Sequence, residues 1–219
     1  MSEARAGLNI RIPNYSLGEE IFNAISHGIG GLMSVLGLAL LLIRARGALA
    51  VVSAALFGAA MVILYVISCI YHALSRRTEG KKVLRVIDHC NVFLLVMCTY
   101  VPVSLLGVGG ALGWGLLAGV SAFAVTGIVF NAIRVDRFKA LSVVCHLISG
   151  WSILLGVSRL LNTMGRTGVI FLLLGGAMYS IGAALYGAGA KKKYMHSVFH
   201  LFCMAGTFFH FWAVYAYLL

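Results

Sequence analysis

Apolar runs about as long as a bilayer is thick recur along the whole sequence, separated by short basic connections. A helix needs roughly 20 predominantly apolar residues to cross the hydrocarbon core. Seven such runs fit the chain, at about 20–43, 50–74, 88–108, 112–131, 140–160, 167–189 and 196–218. Backbone polar groups in lipid must be satisfied within the segment, so the pattern predicts an all-α bundle of seven transmembrane helices. The composition agrees: 61% of the 219 residues are hydrophobic and 11% charged, whereas soluble chains average about 45–50% and about 25%. Residues 1–18 form a short polar segment and 19–219 a single membrane domain. The polar segment lacks the apolar core of a signal peptide, and the first run is too long to be one.

The formal net charge of +11 invites a nucleic-acid reading, but the placement of the cations argues against it. Lysines and arginines sit in short loops beside the spans, where they set topology. With the N-terminus inside, thirteen of the seventeen fall in cytoplasmic positions, among them Arg5, Arg76, Lys81, Arg85 and Lys191. Arg44, Arg46, Arg159 and Arg166 fall outside. The split predicts a cytoplasmic N-terminus, an external C-terminus and multi-pass residence in the cell (inner) membrane. The longest loop, about 75–87, is basic and cytoplasmic on this reading. The Asn14-Tyr15-Ser16 sequon then never reaches a lumen. All five cysteines lie in spans without a C-x-x-C spacing, which reads as small buried side chains. Ala54/Gly58, Gly115/Gly119 and Ala183/Gly187 are small residues four apart, a spacing that lets helices approach closely.

The few polar residues inside the spans carry the functional signal, because such groups are costly in lipid. Ser68 and His72 end the second span, Asp88 begins the third, and His196 and His200 begin the last. His196 and His200 share one helix face, one turn apart, with His200 roughly 6 Å deeper. The topology drawn from the cations puts all five residues at similar depth near the inner face. Three imidazoles with one position left open is the pattern of a catalytic zinc site. Asp88 is either a base beside the water of that site or an interfacial helix cap. Ser68 either joins the site or bonds back to its own helix. His210 lies about 15 Å further along the last helix and reads as a core histidine. His27, His89 and His146 read as buried hydrogen-bonding histidines. Glu19 and Glu20 suit the positive end of the first helix.

Four motifs belong together: E-x-x-N-x-x-x-H at Glu20–His27, S-x-x-Y-H at Ser68–His72, Asp88 with Tyr100 and Pro102, and His196, His200 and His210-Phe211. Together they resemble the hemolysin III family, within the progestin and adipoQ receptors that include the adiponectin receptors. The resemblance spans about residues 18–215. It implies seven helices and a zinc ion held by His72, His196 and His200, with Asp88 and Ser68 at the water. Alkaline ceramidases among the wider relatives suggest hydrolysis of a lipid amide or ester, with membrane lipid as partner. The chain lacks the long N-terminal region of the animal receptors.

Three other readings compete. A receptor or membrane-state sensor would use zinc as a structural clasp, which favours a closed set of four ligands. A cytolytic pore needs polar residues along its length, and here they gather at one end. A zinc transporter would place its ligands near the midplane.

Overall fold

The computed structural model describes residues 10–188 and 192–219. Arg5, Lys191 and the first half of the polar N-terminal segment lie outside them. The described residues form seven α-helices and no strand: α1 Leu17–Arg44, α2 Ala48–Ala73, α3 Glu79–Pro102, α4 Gly110–Arg134, α5 Lys139–Trp151, α6 Val157–Ala188 and α7 Met195–Tyr217. A π-helical turn, Val103–Val108, extends α3, and a 3-10 turn, Ser152–Gly156, joins α5 to α6. Successive helices pack side by side, α1 on α2, α2 on α3, α3 on α4, α4 on α5 and α6 on α7. Contact between α1 and α7 closes the bundle.

Six continuous helical stretches are long and apolar enough to cross a membrane, not the seven expected. The difference lies at residues 140–160 and 167–189, expected as separate spans. They fall in one helical stretch, Lys139–Gly187, whose internal break is at Gly165 (φ 67°, ψ 179°). Positive φ is open to glycine and costly for other residues. The chain reverses there. Trp151 Nε1 donates to Ser180 Oγ at 3.0 Å, although 29 residues of straight helix would separate them by about 43 Å.

Helix α1 begins with a capping box. Ser16 Oγ accepts from the Glu19 backbone N–H at 3.4 Å, and the Glu19 carboxylate accepts from the Ser16 N–H at 2.8 Å. Two glutamates in the first turn also suit the helix dipole. Large apolar side chains such as Leu32, Ile43 and Leu155 are exposed on the outside of the bundle. That is the expected face for lipid, where helix association depends on close packing rather than on the hydrophobic effect. At Gly58 a Cβ would lie 3.0 Å from Leu38 Cα, so the Ala54/Gly58 pair does bring α1 and α2 together. Gly115, Gly119 and Gly187 have nothing near them, and their spacing serves no close approach among the described residues. The five cysteines are free thiols.

The basic segment 75–87 is mostly helix rather than loop. Thr78 caps α3, its Oγ1 accepting from the Lys81 N–H at 3.3 Å. Lys81 and Arg85 are 0% and 1% exposed, and each meets a carboxylate, Lys81 the buried Glu20 and Arg85 the more exposed Asp136. Lys81 Nζ donates to Glu20 Oε1 at 2.7 Å. Arg85 forks onto Asp136, Nη2 to Oδ1 at 2.7 Å and Nη1 to Oδ2 at 2.9 Å. Asp136 lies in the turn between α4 and α5. The Arg85 fork holds its carboxyl well below the usual carboxylate range, so the pair stays charged near neutrality.

Candidate functional site

The ends of α2 and α7 meet beside the start of α1. His72, the penultimate residue of α2, faces His196 and His200 in the first turns of α7. One ring nitrogen from each lies within 4.8 Å of the others, and His196 Nε2 stands 3.0 Å from His200 Nε2. Buried groups this close are costly without partners. Yet His72 Nε2, His196 Nδ1 and His200 Nδ1 are buried with none among the described residues.

Glutamates of α1 hold the two sides of this cluster. Glu20 Oε2 lies 2.7 Å from His72 Nδ1, which then carries the proton and leaves Nε2 bare. The other oxygen of Glu20 takes Lys81, whose ammonium also reaches the Leu74 carbonyl at 2.9 Å. Glu19 Oε1 accepts from the Tyr194 backbone N–H at 2.7 Å. Tyr194 has positive φ (62°) and immediately precedes α7, so this bond fixes where α7 begins and where His196 and His200 point. Two flat contacts complete the packing. The His27 ring stacks on His200 with centroids 3.7 Å apart, and the Tyr15 ring stacks on His196 at 4.8 Å. Burial pushes the Tyr15 phenol up from its ordinary value, so it stays neutral.

A cavity of about 180 Å³ opens on the cluster, with Ser68, Asp88, His196 and His200 at one end. It continues between apolar side chains, including Val92, Leu95 and Leu147, toward Trp151 and His210. Asp88 lies in the third turn of α3, well inside the helix. Thr78 is the cap, so the reading of Asp88 as an interfacial cap does not hold. Ser68 does not bond back to its helix: its hydroxyl is buried and has no partner among the described residues. The cavity thus gathers four of the five residues singled out in the sequence, and the fifth, His72, adjoins it through His196 and His200.

The other histidines divide. His210 Nε2 donates to the Leu172 carbonyl at 3.1 Å, the core role expected of it. His89 Nδ1 donates to the Arg85 carbonyl at 2.8 Å. Both nitrogens of His27 and Nδ1 of His146 are buried without partners, contrary to the expected hydrogen bonds. Glu20 opens the E-x-x-N-x-x-x-H motif but, like Tyr15, is not among the site residues expected from the sequence. The one available signal for Glu20 was its spacing from Asn23 and His27, which puts three polar groups on one face of an apolar helix.

Apolar helices with a buried three-histidine cluster at one end of an internal cavity define a class of helical membrane protein with a potential metal centre. The comparisons narrow that class. Residues 15–211 match the family described as Haemolysin-III related. The chain is 36% identical over 204 residues to Hemolysin-3 of Bacillus cereus, covering 92% of each. It is 36% identical over 196 residues to the Hemolysin-3 homolog of Bacillus subtilis (strain 168), covering 88% of this chain and 91% of that one. Identity to the human Monocyte to macrophage differentiation factor is 23% over 207 residues, covering 91% and 84%. The chain belongs to the haemolysin III family and is a multi-pass membrane protein.

Proposed function

We propose that this protein is a zinc-dependent intramembrane hydrolase acting on an amide or ester of a membrane lipid. The observation that carries the reading is the convergence of one ring nitrogen each from His72, His196 and His200 within 4.8 Å, beside an apolar cavity that His196, His200 and Asp88 line. Neutral imidazoles with unused lone pairs suit zinc, and a carboxylate behind one of them is the usual support for such a ligand. Zinc, when bound, supplies a water acidified toward a pKa of ~7 and polarises a carbonyl.

The chain's own groups have separable tasks. Glu20 fixes the tautomer and direction of His72. Asp88 accepts a proton from the attacking water and returns it to the leaving amine or alcohol. The Ser68 hydroxyl donates to an oxygen at the same end of the cavity. The apolar walls hold the acyl chain and keep bulk water away. The test is release of free fatty acid from ceramide, acyl-amide and phospholipid substrates by the purified protein, with and without a chelator. Absence of release from all of them with zinc bound would leave the sensor reading in its place.

Support for the site also predicts a graded effect. Glu20→Gln keeps the shape but removes the charge behind His72. Zinc affinity should fall by about 10–100-fold, the usual effect of losing a ligand's outer partner. Competition with a fluorescent chelator measures it, and unchanged affinity would exclude Glu20 from the site.

The membrane arrangement belongs to the same reading. Taking the two limbs on either side of Gly165 as separate crossings gives seven, with residues 1–18 cytoplasmic and Leu219 outside the inner membrane. The uneven distribution of lysine and arginine supports that orientation. A reporter fused after Leu219 should be inactive if it requires the cytoplasm, and activity there would reverse the orientation.

A further inference from the structure

A second, larger cavity of about 1130 Å³ borders the histidine cluster at His196. Its character is opposite to the first. Arg11, Arg85, Arg134, Lys139, Lys192 and Lys193 line it, against two carboxylates, Glu19 and Asp136. Both carboxylates are already committed. Glu19 accepts from Ser16 and Tyr194, and Asp136 pairs with Arg85 and Lys139. Arg11, Arg134, Lys192 and Lys193 make no ion pair among the described residues. Arg85, 1% exposed, keeps its Nε buried and unpartnered.

Topology alone accounts for cations at this end of the helices. It does not require that they ring a concavity, or that this concavity meets the apolar one. The two do meet. His196, Asn131, Val143 and Tyr186 line both cavities. Along one path the protein therefore presents a basic chamber, then the histidine cluster with Asp88, then an apolar cavity.

We infer that the basic chamber binds a phosphate group, and that the ligand is an acyl amphiphile with phosphate in its head. Its chain occupies the apolar cavity and its acyl linkage lies at the cluster between them. Arginine and lysine suit phosphate through charge-assisted hydrogen bonds. This inference rests on the proposed hydrolase reading for where the linkage lies, and names the substrate class. Binding itself is independent of the metal.

Trp151 lines the apolar cavity, and the chain has only three tryptophans. A Trp114→Phe, Trp212→Phe protein reports on Trp151 alone. In detergent it is titrated with ether-linked, chain-brominated amphiphiles, which resist hydrolysis and quench indole fluorescence. One carries a phosphate head, the other a neutral glycerol head. The phosphate amphiphile should half-saturate quenching at a concentration about tenfold lower, as a few charge-assisted bonds provide. Changing Arg134, Lys192 and Lys193 together to Gln should erase the preference while leaving the neutral amphiphile's titration unchanged, which also reports an intact fold. His200→Ala should retain the preference, so loss of the metal reading and loss of this one give different results. Equal titrations for the two heads, or a preference that survives the triple change, would overturn the inference. Millimolar inorganic phosphate separates the two sources of the anion. If it abolishes the preference, the chamber takes free phosphate and the lipid assignment falls. If it has no effect, the chain is what brings the phosphate in, as inferred.

Discussion

His200→Ala is expected to purify with almost no zinc, where the unchanged protein carries about one ion per chain. The ring removed supplies one of three nitrogens, and two imidazoles leave the ion too few partners to survive dialysis. Glu20 does not compensate, because it is engaged with His72 and Lys81. His210→Ala is the control. Its ring bonds the Leu172 carbonyl further down α7, so zinc content should be unaffected although a buried hydrogen bond is lost. Elemental analysis of the two variants decides the matter. Full occupancy in His200→Ala would remove that residue from the ligand set.

Asp88→Asn is expected to slow lipid hydrolysis by about 10²–10⁴-fold, the usual contribution of a positioned acid–base group. The amide keeps the size of the side chain but cannot carry the proton. Zinc content and thermal midpoint should match the unchanged protein, since among the described residues Asp88 pairs only with His89, at 3.8 Å. Loss of zinc in Asp88→Asn would make the residue a ligand and the site a closed one. An unchanged rate would give the proton transfer to another group, with Ser68 the next to replace.

The sequence announced the helices and three of the histidines for one physical reason. Apolar runs and polar exceptions within them are both local patterns, and lipid makes the exceptions conspicuous. The count of spans was less legible. The reversal at Gly165 takes a single residue with positive φ; it falls in the gap between the two expected spans, but helix continues to either side of it, so the two limbs form one helical stretch. What supports the cluster was hidden for a different reason. Glu20 meets His72 and Lys81 across 52 and 61 residues of sequence, and no spacing rule spans such a distance. Lys81 and Arg85 were concealed by their neighbours. Among five cations from Arg76 to Arg85, nothing marks the two that turn inward. The assignment of Asp88 to the beginning of a span was off by about two turns, because α3 starts in that same basic stretch. His27 was placed correctly in the core, but its stacking on His200 depends on how α1 leans on α7.

That His196 borders both cavities has a consequence for reversibility. Cleavage at that point would leave the two fragments of an amphiphile on opposite sides of the histidines. The fragment bearing charge would face the aqueous opening, and the hydrocarbon fragment would remain among the walls that lead into the bundle. Each could depart into the phase that dissolves it best without passing the other. Once they partition apart, the two rarely meet again, and the back reaction is starved of one reactant or the other. A single aqueous cleft holding the same groups would let the fragments linger together and recombine.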